Sequence, residues 1–126
     1  MKHLYIVAVC IVSIIILGAF SSTRYGGEFK NLKILPKDIS SEKLDSIMQS
    51  YNKALDVSCG FCHISKDGVE DFASDAKPEK EVARKMMRLT IDINQKYFNF
   101  DSTLHPAYLN VVTCNTCHKG NAYPHQ

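Results

Sequence analysis

The chain has 126 residues and a formal net charge of +2, the balance of 15 basic and 13 acidic side chains. This near-even charge, without a long basic run, argues against a nucleic-acid-binding protein. A chain of this length forms a single small domain, which buries a modest fraction of its surface and often depends on a cofactor for stability.

An apolar segment, residues 4–20, lies at the N-terminus behind Lys2. It is slightly longer than the core of a cleaved export signal, about 7–15 residues, and at the short limit of a membrane-spanning helix, about 17–25 residues. We assign residues 1–21 to a signal sequence or membrane anchor, preferring the anchor because Ile14 to Leu17 are strongly apolar, and residues 22–31 to a linker. Either outcome predicts a periplasmic location at the bacterial inner membrane, anchored or exported with the signal cleaved.

Residues 32–126 are assigned to the folded domain, with two amphipathic helices. Asp38 or Ser40 caps the first helix, which ends before Val57. Apolar residues at helical spacing form one face of this helix: Leu44, Ile47, Met48, Tyr51 and Leu55.

The second helix begins at Pro78, which suits the first helical position, and extends to about Tyr97. Its apolar stripe consists of Val82, Met86, Leu89, Ile93 and Tyr97. Between the helices lie turn signals at Asp67 and Gly68. Because no strand pattern adjoins these elements, the predicted fold class is mainly α.

Each helix is followed by a C-x-x-C-H pentapeptide, at residues 59–63 and 114–118. This pattern attaches c-type haem, since two thiols three positions apart form thioethers to one porphyrin and the next histidine ligates the iron. A zinc ribbon would place its cysteine pairs within roughly 15–20 residues and needs no histidine after each pair, and a thioredoxin-like pair needs a βαβ pattern. The sequence therefore predicts two covalent haems, held by Cys59, Cys62 and His63 and by Cys114, Cys117 and His118.

A methionine on each apolar face, Met48 and Met86, offers a sixth iron ligand, as in electron-transfer cytochromes c. Helical spacing alone leaves both residues open as ordinary core side chains. Met87 lies about 100° further round the helix and is less suited to face a buried cofactor. His105 is the one histidine that could replace Met86 as a ligand, although a histidine in a polar loop is commonly solvated.

Several segments resemble the photosynthetic reaction centre cytochrome c subunit family, namely residues 31–36, 71–75, 83–90, 93–94 and 112–120. Tetrahaem members are built from two dihaem halves, and this chain is similar to one half. The resemblance implies that Met48 ligates the iron held by His63 and that Met86 ligates the iron held by His118.

The resemblance also implies a small multihaem cytochrome c domain, in which helix-turn-CxxCH units pack around two haems behind an N-terminal hydrophobic helix. The implied function is electron transfer between donor and acceptor redox proteins, without a small-molecule substrate. The alternative is a dihaem peroxidase-like enzyme or a haem-based gas sensor, either of which needs an open iron position. Arg84 and Lys119 are candidate partners of haem propionates. The chain departs from the family at Asn115 and Lys119, where tyrosine and arginine are common.

Overall fold

The structure is a computed structural model and describes residues 29–124. The predicted signal or anchor, residues 1–21, lies outside the described residues, as does most of the predicted linker. Within residues 29–124, no helix is both long and apolar enough to cross a membrane. The described elements, in chain order, are α1 (Ser41–Leu55), a 3-10 turn (Cys59–Phe61), β1 (Ile64–Lys66), β2 (Val69–Asp71), α2 (Pro78–Phe98), a second 3-10 turn (Pro106–Tyr108) and α3 (Cys114–His118). The prediction of a mainly α domain is confirmed.

Helix α1 begins and ends as the sequence predicts. Ser40 is its N-cap, because the Ser40 Oγ accepts a hydrogen bond from the Lys43 amide at 3.2 Å. Asp56 ends the helix in the left-handed conformation, at φ 51°. This C-cap turns the chain directly towards the first C-x-x-C-H motif.

Helix α2 also has its predicted bounds, but the protein buries the side of it that carries polar residues. Pro78 occupies the first turn, as expected. The four buried residues of this helix are Lys80, Arg84, Met87 and Asn94. The predicted apolar stripe instead faces outward, with exposed fractions of 54% at Val82, 42% at Met86, 52% at Leu89 and 59% at Tyr97.

The core of the domain is small and lies between α2 and the segment that precedes α1. Leu35 and Ile39 pack there against Met87. Partly buried side chains from α1 and from the loop after α2 surround them, among them Leu44, Ile47, Met48, Tyr51 and Tyr108. A core of this size leaves much of the apolar surface of the chain without protein contacts.

A two-stranded hairpin follows the first motif, so the prediction that no strand adjoins either motif was wrong. β1 and β2 pair antiparallel, with Ser65 opposite Glu70. The connecting turn places Asp67 at φ 54° and Gly68 at φ 77°, which is the left-handed geometry that Asp-Gly favours in a two-residue hairpin. Strands of three residues are too short to show an alternating pattern in the sequence, although their turn was predicted.

Candidate haem-binding site

The second C-x-x-C-H motif forms the single helical turn α3. Thr113 caps this turn, and its amide donates a hydrogen bond to the Thr116 Oγ1 at 3.0 Å. Helical geometry puts Cys114 and Cys117 on neighbouring positions of one face, with His118 one residue further on. The three side chains that would hold one haem are therefore set by a locally stabilised turn.

A backbone carbonyl orients the His118 ring. The Nδ1 of His118 lies 2.8 Å from the Asn121 carbonyl oxygen. A carbonyl can only accept, so the Nδ1 carries the proton and the Nε2 keeps its lone pair for a metal. The left-handed residues Lys119 and Gly120 return the chain to make this contact, and the Gly120 amide donates to the Ala54 carbonyl of α1 at 2.9 Å. A hydrogen bond from one ring nitrogen to a carbonyl, with the other nitrogen left free, is typical of a metal-ligating histidine.

Both long helices hold the first motif in place. The Cys59 carbonyl accepts a hydrogen bond from the His63 amide at 3.0 Å, which closes the turn. From α1, the Asn52 amide group approaches the Cys59 sulfur at 3.5 Å. From the start of α2, the Lys77 ammonium donates to the Gly60 carbonyl.

His63 lies in a different environment from His118. Its ring packs edge-on against Phe72, with 5.1 Å between the ring centroids. Its Nδ1 is buried and has no hydrogen-bond partner within residues 29–124. Burial, followed by the positive charge of Lys80, lowers the pKa of His63. The ring is therefore held in the neutral form that ligates iron.

The four motif cysteines are free thiols. Burial raises the pKa of Cys62 and of Cys114. Within the described part of the chain, no group of three or more His, Cys, Asp or Glu side chains could hold a metal ion. The two cysteine pairs are thus not gathered into one zinc-type site.

A pocket of about 300 Å³ opens beside Cys114. Tyr51 of α1, Met87 of α2 and Val112 of the preceding loop are among its lining residues. Burial raises the pKa of Tyr51 well above its usual range, with the nearby Cys114 as a secondary cause. The pocket beside the second motif therefore combines apolar side chains with polar ones, among them Ser50, Thr90 and Asn110.

The two predicted methionine ligands occupy different settings. Met48 is partly buried at the edge of the core. Met86 is 42% exposed on the outward stripe of α2, whereas the adjacent Met87 is 9% exposed and packs in the core. The exposed His105 caps the second 3-10 turn, where its Nδ1 accepts a hydrogen bond from the Ala107 amide at 3.2 Å. The ligation by Met48 and Met86 stays a prediction.

Comparison with known proteins identifies the family. The family model described as "Photosynthetic reaction centre cytochrome C subunit" matches residues 14–126. The chain belongs to this family. No solved structure matches the chain.

Three curated relatives are similar to parts of it. Cytochrome c-554 of Chloroflexus aurantiacus is 38% identical over 81 residues, which cover 64% of this chain and 18% of that protein. The photosynthetic reaction center cytochrome c subunit of Rubrivivax gelatinosus is 32% identical over 106 residues, covering 82% of this chain and 26% of the relative. The subunit of the same name from Roseobacter denitrificans is 29% identical over 98 residues, covering 76% and 25%. The chain thus spans about a quarter or less of the length of these relatives.

The residues of this reaction centre cytochrome family member fit a covalently attached c-type haem. Both motifs form tight turns with free thiols. The Nδ1 of His118 donates its proton to the Asn121 carbonyl, which leaves the Nε2 available as a ligand. Both features are what covalent attachment and axial ligation require of the protein.

Asn94 is a positioning residue that the sequence analysis missed. Its side chain is 1% exposed, and its Nδ2 donates to the Leu109 and Val112 carbonyls, both at 2.8 Å. Its Oδ1 accepts a hydrogen bond from the Val112 amide, also at 2.8 Å. Asn94 thereby fixes the segment that enters the second motif. Two signals were present in the sequence: an asparagine inside a helix, where it is not favoured, and its place in the family-like segment 93–94.

Asp75 is the centre of a second missed network. Its carboxylate lies 2.9 Å from Arg84, 3.2 Å from Lys80 and 2.7 Å from Lys33. Hydrogen bonds from Arg84 and then Lys33 hold the pKa of Asp75 far below its usual range. Arg84, a candidate partner of a haem propionate in the sequence, is instead buried and paired with Asp75 and Glu81. Lys119 is exposed and lies in the turn after His118.

Proposed function

We propose that this protein is a c-type cytochrome that carries electrons through two covalently bound haems. The observation that carries the proposal is the pair of C-x-x-C-H turns, one of which already presents a correctly oriented histidine through the contact between His118 and the Asn121 carbonyl. Membership of a cytochrome family and the names of the curated relatives support it. When bound, the haem iron supplies a one-electron redox couple.

The protein's own part in this function is attachment and ligation. Cys59 and Cys62 would attach one haem and Cys114 and Cys117 the other, with His63 and His118 as the proximal ligands. Met48 and Met86 are proposed as the sixth ligands, of the His63 and His118 irons respectively.

The outward stripe of α2 supports the assignment of Met86. Met86 is flanked on this stripe by three side chains that are more than half exposed, Val82, Leu89 and Tyr97. Single exposed apolar side chains are common on soluble proteins, whereas a continuous exposed patch usually marks a surface that binds something. Met87 is already committed to the core with Leu35 and Ile39. Met86, which the core does not use, is therefore the proposed ligand, and Met87, which also lines the pocket beside Cys114, is its competitor in the test.

A carrier needs both axial positions filled and no substrate site. Two histidine–methionine irons meet that condition, whereas a peroxidase-like enzyme or gas sensor needs an iron with an open position. No observation on the described residues favours that alternative.

The partners are proposed to be donor and acceptor redox proteins, and two relatives carry the name of a reaction centre subunit. We also propose that residues 32–126 form the redox domain on the periplasmic face of the inner membrane. Residues 1–21 would export or anchor it, and residues 22–31 would link the two parts.

The experiment is co-expression with the haem maturation machinery, followed by intact mass and a reduced-minus-oxidised spectrum. The mass should show two haems, and the reduced protein should not bind carbon monoxide readily. As matched variants, C59A/C62A and C114A/C117A should each lose one haem. A single haem in the unaltered protein refutes the dihaem proposal, and a high-spin iron that binds carbon monoxide refutes the carrier.

A further inference from the structure

Two buried polar atoms without partners lie on the same face of the hairpin, and they are chemically complementary. Three buried side-chain atoms lack a hydrogen-bond partner among residues 29–124, and two of them are the His63 Nδ1 and the Glu70 Oε2. We propose that Glu70 is a positioning residue for the first haem, whose carboxylate accepts the Nδ1 proton of His63 as the Asn121 carbonyl accepts that of His118. This inference rests on the proposed function, because it requires a haem at the first motif.

The register of the hairpin places the two side chains together. Ser65 of β1 lies opposite Glu70 of β2, and the same register continued by two residues puts His63 opposite Phe72. The edge-on contact of the His63 and Phe72 rings, with 5.1 Å between their centroids, agrees with that pairing. Glu70 is two residues from Phe72 and is therefore a diagonal neighbour of His63. Diagonal neighbours in an antiparallel pair are within reach of long side chains.

The two atoms supply opposite halves of one hydrogen bond. When the Nε2 of His63 ligates iron, the ring proton is on the Nδ1, which can only donate, and an ionised carboxylate can only accept. Each atom lacks the partner that a buried polar atom normally has. A rotation of the Glu70 side chain, whose terminal torsion is soft, is the change that joins them. Metal-ligating histidines almost always donate from their second ring nitrogen, and carboxylates are among the usual acceptors.

The buried cation beside Phe72 is not free to pair with Glu70. Lys80 is 9% exposed, and its three ammonium protons have three acceptors. These are the Phe72 carbonyl at 2.8 Å, the Ser74 carbonyl at 2.6 Å and the Asp75 carboxylate at 3.2 Å. The Phe72 carbonyl is the competing acceptor for His63, because it belongs to the residue opposite, but it already accepts a hydrogen bond from Lys80.

The proposed hydrogen bond would change the electron density on the first proximal histidine. A carboxylate attracts the Nδ1 proton more strongly than a neutral carbonyl does, which makes the imidazole a stronger donor to the iron. A stronger donor favours ferric over ferrous iron, and the negative charge of the carboxylate acts in the same direction. Glu70 should therefore lower the potential of the first haem.

The test is a redox titration and a proton NMR spectrum of the reduced dihaem protein and four variants. Glu70→Gln removes the charge but keeps an acceptor of the same shape, Glu70→Ala removes both, and Glu70→Asp keeps the charge on a shorter side chain. Asp67→Asn is the matched control, because it removes the same charge from the exposed turn of the hairpin, and asparagine tolerates the left-handed backbone there. Each wave is assigned by its loss in C59A/C62A or in C114A/C117A.

The wave of the first motif should rise when Glu70 is replaced. Glu70→Ala should raise it by about tenfold in its equilibrium constant, or about 59 mV for one electron, with smaller rises in Glu70→Gln and Glu70→Asp. The second-motif wave should stay in place, and Asp67→Asn should have a small effect on either wave. The Nδ1 proton of His63 should resonate far downfield and exchange slowly in the unaltered protein. In Glu70→Ala it should move upfield or be lost to exchange with solvent.

Two results overturn the inference. An unmoved wave and an unmoved Nδ1 proton in Glu70→Ala would indicate the Phe72 carbonyl as the acceptor. A raised wave with an unmoved Nδ1 proton would show that Glu70 acts only as a charge at a distance. If Glu70→Ala yields no folded protein, Glu70→Gln decides by the same two measurements. Fewer than two haems by mass refutes the proposed function itself, whereas two haems with an unmoved Nδ1 proton refute this inference alone.

Discussion

Replacing the two adjacent methionines of α2 one at a time separates ligation from packing. Met86 lies on the outward apolar stripe, and Met87 lies in the core with Leu35 and Ile39. We expect Met86→Ala to change the redox behaviour with little effect on stability of the polypeptide core. Met87→Ala should lower the stability of the core and leave the redox behaviour nearly unchanged.

The structure sets the expected size of each effect. A methionine removed from a core costs about 2–5 kcal/mol of unfolding free energy. Met87 is 9% exposed and borders the pocket beside Cys114, so part of the space left by Ala is open to relaxation and the lower end, about 2–3 kcal/mol, is expected. For Met86, loss of a thioether ligand should lower one potential by on the order of 0.1 V, a fraction of the roughly 0.8 V that axial ligands span.

The assay combines redox titration, carbon monoxide binding and denaturant unfolding on both variants of the haem-loaded protein. Met86→Ala should shift one wave and admit carbon monoxide at one iron, and Met87→Ala should lower the unfolding midpoint with its spectrum nearly unchanged. A larger redox shift in Met87→Ala would show that the ligand lies on the inner face of α2. Unshifted potentials in both variants would refute methionine ligation at the second iron and make His105 the next residue to replace.

Two further predictions follow from named contacts, and a third follows from the sequence of residues 1–21. Asn94→Ala should destabilise the haem-loaded protein by about 1–3 kcal/mol in denaturant unfolding, because it leaves partly buried backbone groups of Leu109 and Val112 without their side-chain partner. A loss below about 0.5 kcal/mol would contradict the role of Asn94 in fixing this segment. Asp75→Asn should lower the unfolding midpoint at pH 7, and the difference from the unaltered protein should shrink below about pH 4. The pKa of Asp75 is lower in the folded than in the unfolded protein, so the ionised carboxylate stabilises the fold above the unfolded-state pKa, and this stabilisation is lost as the pH falls towards the folded-state pKa. A constant difference from pH 7 to pH 2 would contradict that assignment. Fractionation should recover the full chain with inner membranes, because residues 4–20 are almost uninterrupted by polar groups. Recovery only as a soluble species beginning near Ser22 would contradict the retained anchor and show that the signal is cleaved.

The long helices were predictable because their signals are local. Ser40 caps α1 through an amide three residues away, and Pro78 begins α2 through its own restricted backbone. The C-x-x-C-H motifs were equally accessible, since their chemistry is contained in five consecutive residues. The short hairpin was missed because its strands carry too few residues for a pattern.

The buried face of α2 was not predictable, because its partners are distant in sequence. Asn94 is satisfied by groups 15 and 18 residues away, and Arg84 reaches the Asn31 carbonyl from 53 residues away. Hydrophobic periodicity assigns polar residues to solvent and does not register such contacts. The orientation of His118 was missed for a different reason. Asn121 is only three residues away, but its carbonyl reaches the ring through the left-handed conformations of Lys119 and Gly120, which the motif itself does not specify.

The two faces of α2 together explain why its sequence looks as it does. Its polar residues hold the fold, through Asp75 on one side and the loop into the second motif on the other. Its apolar stripe is thereby left outside the protein core, where four of its side chains are more than 40% exposed. Exposing such a stripe costs free energy that burial would recover at about 25 cal/mol per Å², so the stripe favours a state in which a large apolar surface covers it. A porphyrin attached at one of the motifs would supply such a surface, and we therefore expect the stability of this domain to be linked to haem attachment in the way that small metal domains depend on their metal.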